Sequence, residues 1–198
     1  MIKIKQSFYT SNNILEISKC LLGKVLITNL NSKITSGIIV EVEAYLGIND
    51  KASHSYNNKR TSRTEPMFAK GGISYVYLCY GIHHLFNVVV GKQDNPYAIL
   101  IRAIKPLTGI NTMLKRRKLS KVTKELTNGP GKLTQALGIT TKVNKESLIG
   151  NKIWIEDQEI KFEKKDILSS PRIGVDYAGD DAKLPYRFYI NKNKWASK

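Results

Sequence analysis

The pattern of hydrophobic and polar positions predicts a chain of short strands with a few helices inserted between them. Residues 11–23 combine N-capping side chains, a broad apolar side and a terminal glycine, which predicts a helix. Strands are predicted where apolar, β-branched and aromatic residues are bounded by turn formers, at 24–30, 37–45, 74–80, 84–90, 97–104, 153–160 and 186–190. Further helices are predicted at 110–118, which is basic, and at 132–137. Consecutive hairpins with intervening helices are typical of an α+β fold, and nothing divides residues 1–198 into more than one domain.

Composition narrows the class of protein. The 198 residues are 41% hydrophobic, enough for a packed core and too many for a disordered basic tail. No apolar run approaches the roughly 18 residues of a membrane helix, so we expect no membrane anchor. No apolar segment follows the basic start at residues 1–5, so we expect no secretory signal. We therefore expect an intracellular protein. Cys20 and Cys79 form no metal-binding or disulfide pattern.

The charge indicates a polyanionic partner. The formal net charge is +16, and lysines and arginines that replace counterions on a nucleic acid gain binding free energy. The alternative is a lysine-rich surface that is merely solvated, since the chain is also rich in Ile and Asn. Charge alone leaves both interpretations open.

An acidic pair lies in the apolar strand predicted at 37–45. Alternation along the strand places Ile39, Glu41, Glu43 and Tyr45 on one face. One interpretation is a half-exposed strand whose carboxylates discourage aggregation. The other is a general base, because a carboxylate beside an aromatic ring in a closed pocket can activate water.

Tyrosines recur in the hairpin predicted from 74–80 and 84–90. Tyr75 and Tyr77 point to the same side of the strand, and Tyr80 lies at the turn. Ordinary sheet packing explains such residues, since tyrosine is a good strand former. The functional interpretation is that one ring stacks on a base and the ring at the tip fills a gap in a base stack.

Residues 128–133 are a third candidate. Two glycines and a proline open a predicted helix next to Lys132, so its backbone N–H groups can face a phosphate. A plain helix start is an equal alternative. The adjacent His83 and His84 face opposite sides of a strand and cannot readily share a metal ion, so we expect no metal site.

Together these stretches identify a resemblance to the alkyladenine (3-methyladenine) DNA glycosylases of the monofunctional, mixed α/β type. The ordered matches are 41–47, 52–55, 67–68, 75–81 with Asn87, 100–103, 128–137, 171–175 and 187–189. Gly71-Gly72 departs from the Pro-Gly of some relatives, and residues 139–170 show little recognisable pattern. The resemblance implies a compact domain on a curved, mostly antiparallel sheet with surrounding helices and a protruding β-hairpin.

The resemblance also implies a chemistry. A damaged purine would leave duplex DNA, and its N-glycosidic bond would be hydrolysed to an abasic site. Glu43 would be the general base, Arg102 would hold the attacking water, and the backbone carbonyl of Ile173 would be a third ligand of that water. Only the family likeness prefers Glu43 to Glu41. No lysine is marked out as a Schiff-base nucleophile, so we expect no strand cleavage.

The remaining roles follow from the same likeness. Tyr45, His54 and Tyr77 would stack on the flipped base, and Asn87 would line the floor of the pocket. Tyr80 would intercalate into the DNA, and Lys132 would contact a phosphate. We expect double-stranded DNA containing damaged purines as the partner, no membrane partner, no cofactor and a monomer. The alternatives are a non-catalytic nucleic-acid-binding module and a hydrolase that acts on free nucleosides.

Overall fold

The computed structural model describes residues 2–197, which form one mixed sheet-and-helix structure. Within these residues the strands are β1 Ile2–Lys3, β2 Val25–Leu30, β3 Lys33–Tyr45, β4 Ser74–Cys79, β5 His83–Val90, β6 Tyr97–Thr108, β7 Ile153–Asp157, β8 Ile167–Ser170 and β9 Arg187–Ile190. The α-helices are α1 Gln6–Tyr9, α2 Ile14–Leu21, α3 Ile110–Arg117 and α4 Pro130–Leu137. Short 3-10 helices fill several connections, at Gly47–Asn49, Tyr56–Asn58, Glu65–Phe68, Lys124–Leu126, Thr141–Val143, Lys164–Asp166 and Asp176–Lys183.

The strands pair in a single antiparallel sheet. Its order is β1-β7-β2-β3-β6-β5-β4, and β9 pairs with both β3 and β8. The predicted α+β class with a mostly antiparallel sheet is therefore confirmed.

Strand β3 is the centre of this sheet, since it pairs with β2, β6 and β9. Asn31 and Ser32 join β2 to β3 with φ angles of 54° and 56°, the left-handed pair that a tight hairpin requires. Three register shifts interrupt the pairing of β3 with β6, and two of them leave Val40 and Arg102 without a residue directly opposite. Such bulges bend a strand and redirect its side chains.

The helices pack their apolar sides onto the sheet. Helix α2 begins after Asn13, whose side chain accepts a hydrogen bond from the Glu16 N–H (3.2 Å). Helix α4 buries Leu133, Ala136 and Leu137 in the main core. Cys20, which we predicted on the apolar side of the first helix, is exposed instead, because the buried face of α2 is formed by Ile14, Ile17, Ser18 and Leu21.

The structure differs from the predicted elements mainly at their ends. Strand β3 begins four residues before its predicted start, and β6 continues to Thr108. Strand β7 ends at Asp157, because the Asp157 carboxylate accepts the N–H of Glu159 and a turn follows, with Glu159 at a φ of 60°. The pattern did not predict α1, β1 or β8, which are short and depend on their partners for stability.

In the part of the chain that the structure describes, every helix is too short or too polar to span a lipid bilayer.

Candidate active site

The two glutamates of β3 lie on one face of the sheet and are fully buried. Glu41 and Glu43 each have a relative exposure of 0%. Both contact the side chain of Arg102, which the bulge in β6 directs towards them. The alternative of a half-exposed strand with solvated carboxylates is therefore wrong, and the buried pair needs compensating partners.

Glu43 is bound by three groups that line a cavity. Its Oε2 accepts from the Tyr45 hydroxyl (2.9 Å), and its Oε1 accepts from the backbone N–H of Ile173 (2.8 Å) and lies 3.3 Å from Arg102 Nη1. Since an ionised carboxylate offers about four acceptor positions, one is left over. The carboxylate lies directly behind the cavity wall, one hydrogen bond from it.

Glu41 is saturated by a set of partners that shares only Arg102 with the set around Glu43. Its Oε1 accepts from Arg102 Nε (3.0 Å), Arg187 Nε (2.7 Å) and the Ser197 hydroxyl (2.6 Å), and its Oε2 accepts from the Ser197 N–H (2.5 Å). Ser197 lines the cavity and lies between it and Glu41. The two carboxylates that the sequence could not separate thus have different environments, and Glu43 is the one with a free acceptor position.

Aromatic side chains wall the cavity, whose volume is about 720 Å³ and therefore suits a small-molecule ligand or a nucleobase. The predicted residues that line it are Tyr45, His54, Tyr77, Tyr80, Asn87, Arg102, Lys132 and Ile173. The His54 and Tyr77 rings meet edge to face with centroids 4.7 Å apart, and Tyr75 and Tyr77 are 5.3 Å apart. The structure therefore brings together all the predicted side chains except Glu43, which lies behind them.

His54 is held neutral and in a fixed orientation. Burial lowers its pKa to about 4, and the charges of Arg63 and Lys59 add to the effect. Its Nδ1 is 2.8 Å from the Tyr75 hydroxyl, while burial raises the pKa of Tyr75 to about 12. A neutral imidazole beside neutral phenols presents flat, uncharged surfaces to a ligand.

Tyr45 is fixed from behind by a buried ion pair. The Arg172 guanidinium lies 4.8 Å from the centroid of the Tyr45 ring, and it binds Asp50 through Nη1 (2.5 Å) and Nη2 (2.8 Å). Arg172 also donates to the Ala44 carbonyl (2.9 Å), next to Tyr45 in β3. Because burial and the Glu43 carboxylate both raise the pKa of Tyr45, its phenol stays protonated and donates to Glu43.

The β4–β5 hairpin ends in an exposed tyrosine, as the sequence predicts. Tyr80 and Gly81 have φ angles of 51° and 72°, and the Ile82 N–H donates to the Cys79 carbonyl (3.1 Å), which closes a tight turn. Tyr80 is 89% exposed, and the neighbouring Ile82 is 72% exposed. The Tyr80 ring therefore projects at the mouth of the cavity, and the Ile82 side chain is exposed at the same turn.

The other predicted residues have their own contacts. Asn87 is buried, and its Nδ2 donates to the Tyr75 carbonyl (3.1 Å). Lys132 lies in the first turn of α4, where its Nζ contacts Glu125 (2.7 Å) and Asn128 (3.1 Å). Ile173 reaches Glu43 through its N–H, whereas its predicted role uses the carbonyl and stays a prediction.

Several residues of the site were not predicted from the sequence. These are Asp50, Arg63, Arg172 and Arg187, whereas Tyr75 is one of the tyrosines that the sequence pattern singled out. The only signal for two of them is an arginine next to the apolar residues of a matched stretch, at 171–175 and 187–189. Their partners are distant in the sequence, so spacing along the chain carries no information about them.

Comparison with known proteins identifies the family. The Methylpurine-DNA glycosylase (MPG) family profile matches residues 7–194. Relatives named "Putative 3-methyladenine DNA glycosylase" include a Chlamydia felis protein, 47% identical over 96% of this chain and 97% of its own. A Chlamydia abortus protein of the same name is 48% identical over 95% of this chain and 98% of its own, and one from Clostridium botulinum is 44% identical over 98% of both. These matches give no support to a non-catalytic binding module. The chain belongs to the methylpurine-DNA glycosylase family.

Proposed function

We propose that this protein removes damaged purines from duplex DNA by flipping the nucleotide into the cavity and hydrolysing its N-glycosidic bond with a water activated by Glu43. The observation that carries the proposal is the position of Glu43. It is a fully buried carboxylate with a free acceptor position, and the three groups that bind it all line an aromatic cavity. The names of the relatives point to 3-methyladenine as one substrate.

The walls of the cavity suit a flat base. Tyr45, His54 and Tyr77 present rings to the same space, and stacking on such rings contributes roughly 1–3 kcal/mol per base. An N-alkylated purine that carries a positive charge gains about 0.5–2 kcal/mol more from the electron-rich faces of the tyrosines. Recognition in this scheme combines stacking with the charge of the lesion.

Extrusion of the nucleotide needs a group that fills the gap in the stack. Tyr80 is 89% exposed at the tip of a tight hairpin beside the cavity, so its ring is available to a duplex. Unstacking and unpairing a base cost a few kcal/mol, less for a damaged base, and an inserted side chain offsets part of that cost. Intercalation of Tyr80 is the role we propose for this hairpin.

The proposed hydrolysis is a single displacement at the sugar. Water attacks C1′ and gives its proton to Glu43, while the C1′–N9 bond breaks and its electron pair leaves with the base. Arg102, shared between Glu41 and Glu43, would orient the carboxylate and the water. A base that is cationic before the bond breaks leaves as a neutral molecule, which makes alkylated purines good leaving groups.

Binding to the DNA backbone follows from charge. The net charge of +16 favours a polyanion, and Lys132 lies on the cavity rim at the start of α4. Its partner Glu125 has a side chain that is 50% exposed, so a phosphate can compete for the lysine. Lys132 is also the only lysine that lines the cavity in residues 2–197, and the phosphate contact proposed for it leaves no lysine there for Schiff-base chemistry, which favours a monofunctional enzyme.

A glycosylase assay tests the proposal. Duplexes that contain 3-methyladenine, hypoxanthine or ethenoadenine are incubated with the protein and then heated in alkali to reveal abasic sites. We expect strand breaks only after the alkali step for at least one lesion. Glu43→Gln should abolish base release and leave binding to the duplex intact.

The matched control is Glu41→Gln, which removes an equally buried carboxylate two residues away. We expect this variant to keep measurable base release at a temperature where it is folded. Release by Glu43→Gln at the wild-type rate would refute the assignment of the base, and strand breaks without alkali would refute the monofunctional mechanism.

A further inference from the structure

Arg63 lines the cavity, although no pattern in the sequence points to a role for this residue. It lies in the polar segment between His54 and Met67, and its guanidinium carbon is 4.9 Å from the centroid of the Tyr77 ring. The residue lines the same cavity as Tyr45, His54 and Tyr77. A full positive charge is therefore held against one of the rings on which a base would stack.

The charge of Arg63 is not neutralised by a carboxylate. The other arginines near the cavity all have such partners: Arg102 and Arg187 pair with Glu41, and Arg172 pairs with Asp50. Arg60, in the same segment as Arg63, pairs with both Glu65 and Asp94. Across residues 2–197, Arg63 forms no ion pair within 4.0 Å.

The two tyrosines proposed to stack on the base therefore differ in the net charge that lies beside each ring. Tyr45 has Arg172 at 4.8 Å from its centroid, but Asp50 cancels that charge at a distance of 2.5 Å. Tyr77 has Arg63 at nearly the same distance, without such cancellation. The positive charge of Arg63 also acts on His54, because it contributes to the low pKa of that imidazole.

We propose that Arg63 determines how the enzyme discriminates between charged and neutral purine lesions, by repelling a cationic base that stacks on Tyr77. A base in van der Waals contact with the ring lies about 3.5 Å from it, and hence within about 8 Å of the guanidinium on either face of Tyr77. That distance is comparable to the Debye length of about 8 Å at physiological salt, so the repulsion persists although Arg63 is exposed. A neutral lesion has no such repulsion. The inference rests on the proposed function, since it concerns the same cavity and substrate class.

The experiment compares two lesions in one duplex sequence. Single-turnover release of 7-methylguanine, which is cationic, and of hypoxanthine, which is neutral, is measured for the wild type, Arg63→Met, Arg63→Lys and Arg60→Met. We expect Arg63→Met to raise the ratio of the 7-methylguanine rate to the hypoxanthine rate about tenfold. Arg63→Lys, which keeps the charge, should change the ratio much less.

Arg60→Met is the matched control, because it removes the same charge from the same segment at a residue that does not line the cavity. It should leave the ratio within about twofold of the wild type. Since Arg63 is exposed, its variants should also keep the wild-type melting temperature. An unchanged ratio in Arg63→Met, or an equal change in Arg60→Met, would overturn the proposal.

Binding distinguishes this inference from the proposed function. If the wild type releases neither of these bases nor any lesion of the glycosylase assay, the proposed function is wrong, and the ratio of the dissociation constants for the two duplexes then tests Arg63. A shift of that ratio of about tenfold in favour of the cationic lesion in Arg63→Met would still support it, and an unchanged ratio would refute it.

Discussion

The hydroxyl of Tyr45 donates to Oε2 of Glu43 at 2.9 Å, so the ring proposed to stack on the base is joined directly to the carboxylate proposed to activate the water. The two residues are separated by Ala44 in β3, and the pleat of the strand places them on one face. One side chain thus connects recognition with chemistry.

Tyr45→Phe tests this connection. The phenyl ring keeps its stacking surface, but Glu43 loses a donor and is left buried with a less restrained carboxylate. We expect a loss of about 1–3 kcal/mol in the free energy of unfolding and about a tenfold slower base release. Affinity for lesion-containing duplex should change by less than about threefold, measured by fluorescence anisotropy. A large loss of affinity with an unchanged rate would show that the hydroxyl serves binding instead.

The different environments of Glu41 and Glu43 predict that replacing each glutamate by glutamine lowers the free energy of unfolding by a different amount. Glu41 compensates two buried guanidiniums, whereas Glu43 contacts one guanidinium at 3.3 Å. Glu41→Gln should therefore lower the free energy of unfolding by about 3–5 kcal/mol. Glu43→Gln should lower it by less, in urea titrations of both variants. Equal losses would contradict the different roles that we assign to the pair.

His54 makes the stability dependent on pH. Its pKa is lowered by burial from an ordinary value of 6.5 to about 4, so the unfolded chain binds a proton at a pH where the folded protein does not. The free energy of unfolding should therefore decrease as the pH falls from about 6.5 to about 4, by up to about 3 kcal/mol from this residue.

His54→Gln removes that titration. The difference in free energy of unfolding between the wild type and this variant should be constant above about pH 7 and should fall steadily below about pH 6.5, in urea titrations at several pH values. Contributions from all other titratable groups are common to both proteins and cancel. Curves that stay parallel down to pH 4.5 would show that His54 is not buried in its neutral form.

Tyr80→Ala separates a role in DNA binding from a role in folding. Because Tyr80 is 89% exposed, the melting temperature should stay within about 1 °C of the wild type. Affinity for a lesion-containing duplex should fall about ten- to hundredfold, since an intercalated ring replaces a stacked base. Ile82→Ala, at the same turn, is the control and should have a smaller effect. Equal affinities of Tyr80→Ala and wild type would refute intercalation.

The local pattern of hydrophobic, polar and turn-forming residues correctly predicted the secondary-structure elements that surround the site. The hairpin with Tyr80 at its tip, the strand that carries Glu41, Glu43 and Tyr45, and the helix that opens at Pro130 all lie where the sequence predicts them. Each depends on neighbouring residues, because side-chain alternation, turn formers and helix starts act over a few positions. The short strands β1 and β8 depend on distant partners and escaped prediction.

By itself the sequence determined that two carboxylates and a tyrosine share one face of a strand, near a hairpin rich in tyrosine. Only the tertiary structure decided which carboxylate is available. Arg187 and Ser197, about 150 residues further along the chain, saturate Glu41, while the Ile173 N–H and the Tyr45 hydroxyl leave Glu43 one acceptor position. Register shifts in the β3–β6 pair direct Arg102 between the two. The physical reason is that alternation assigns a residue to a face, but the charge around it comes from segments that only folding brings into contact.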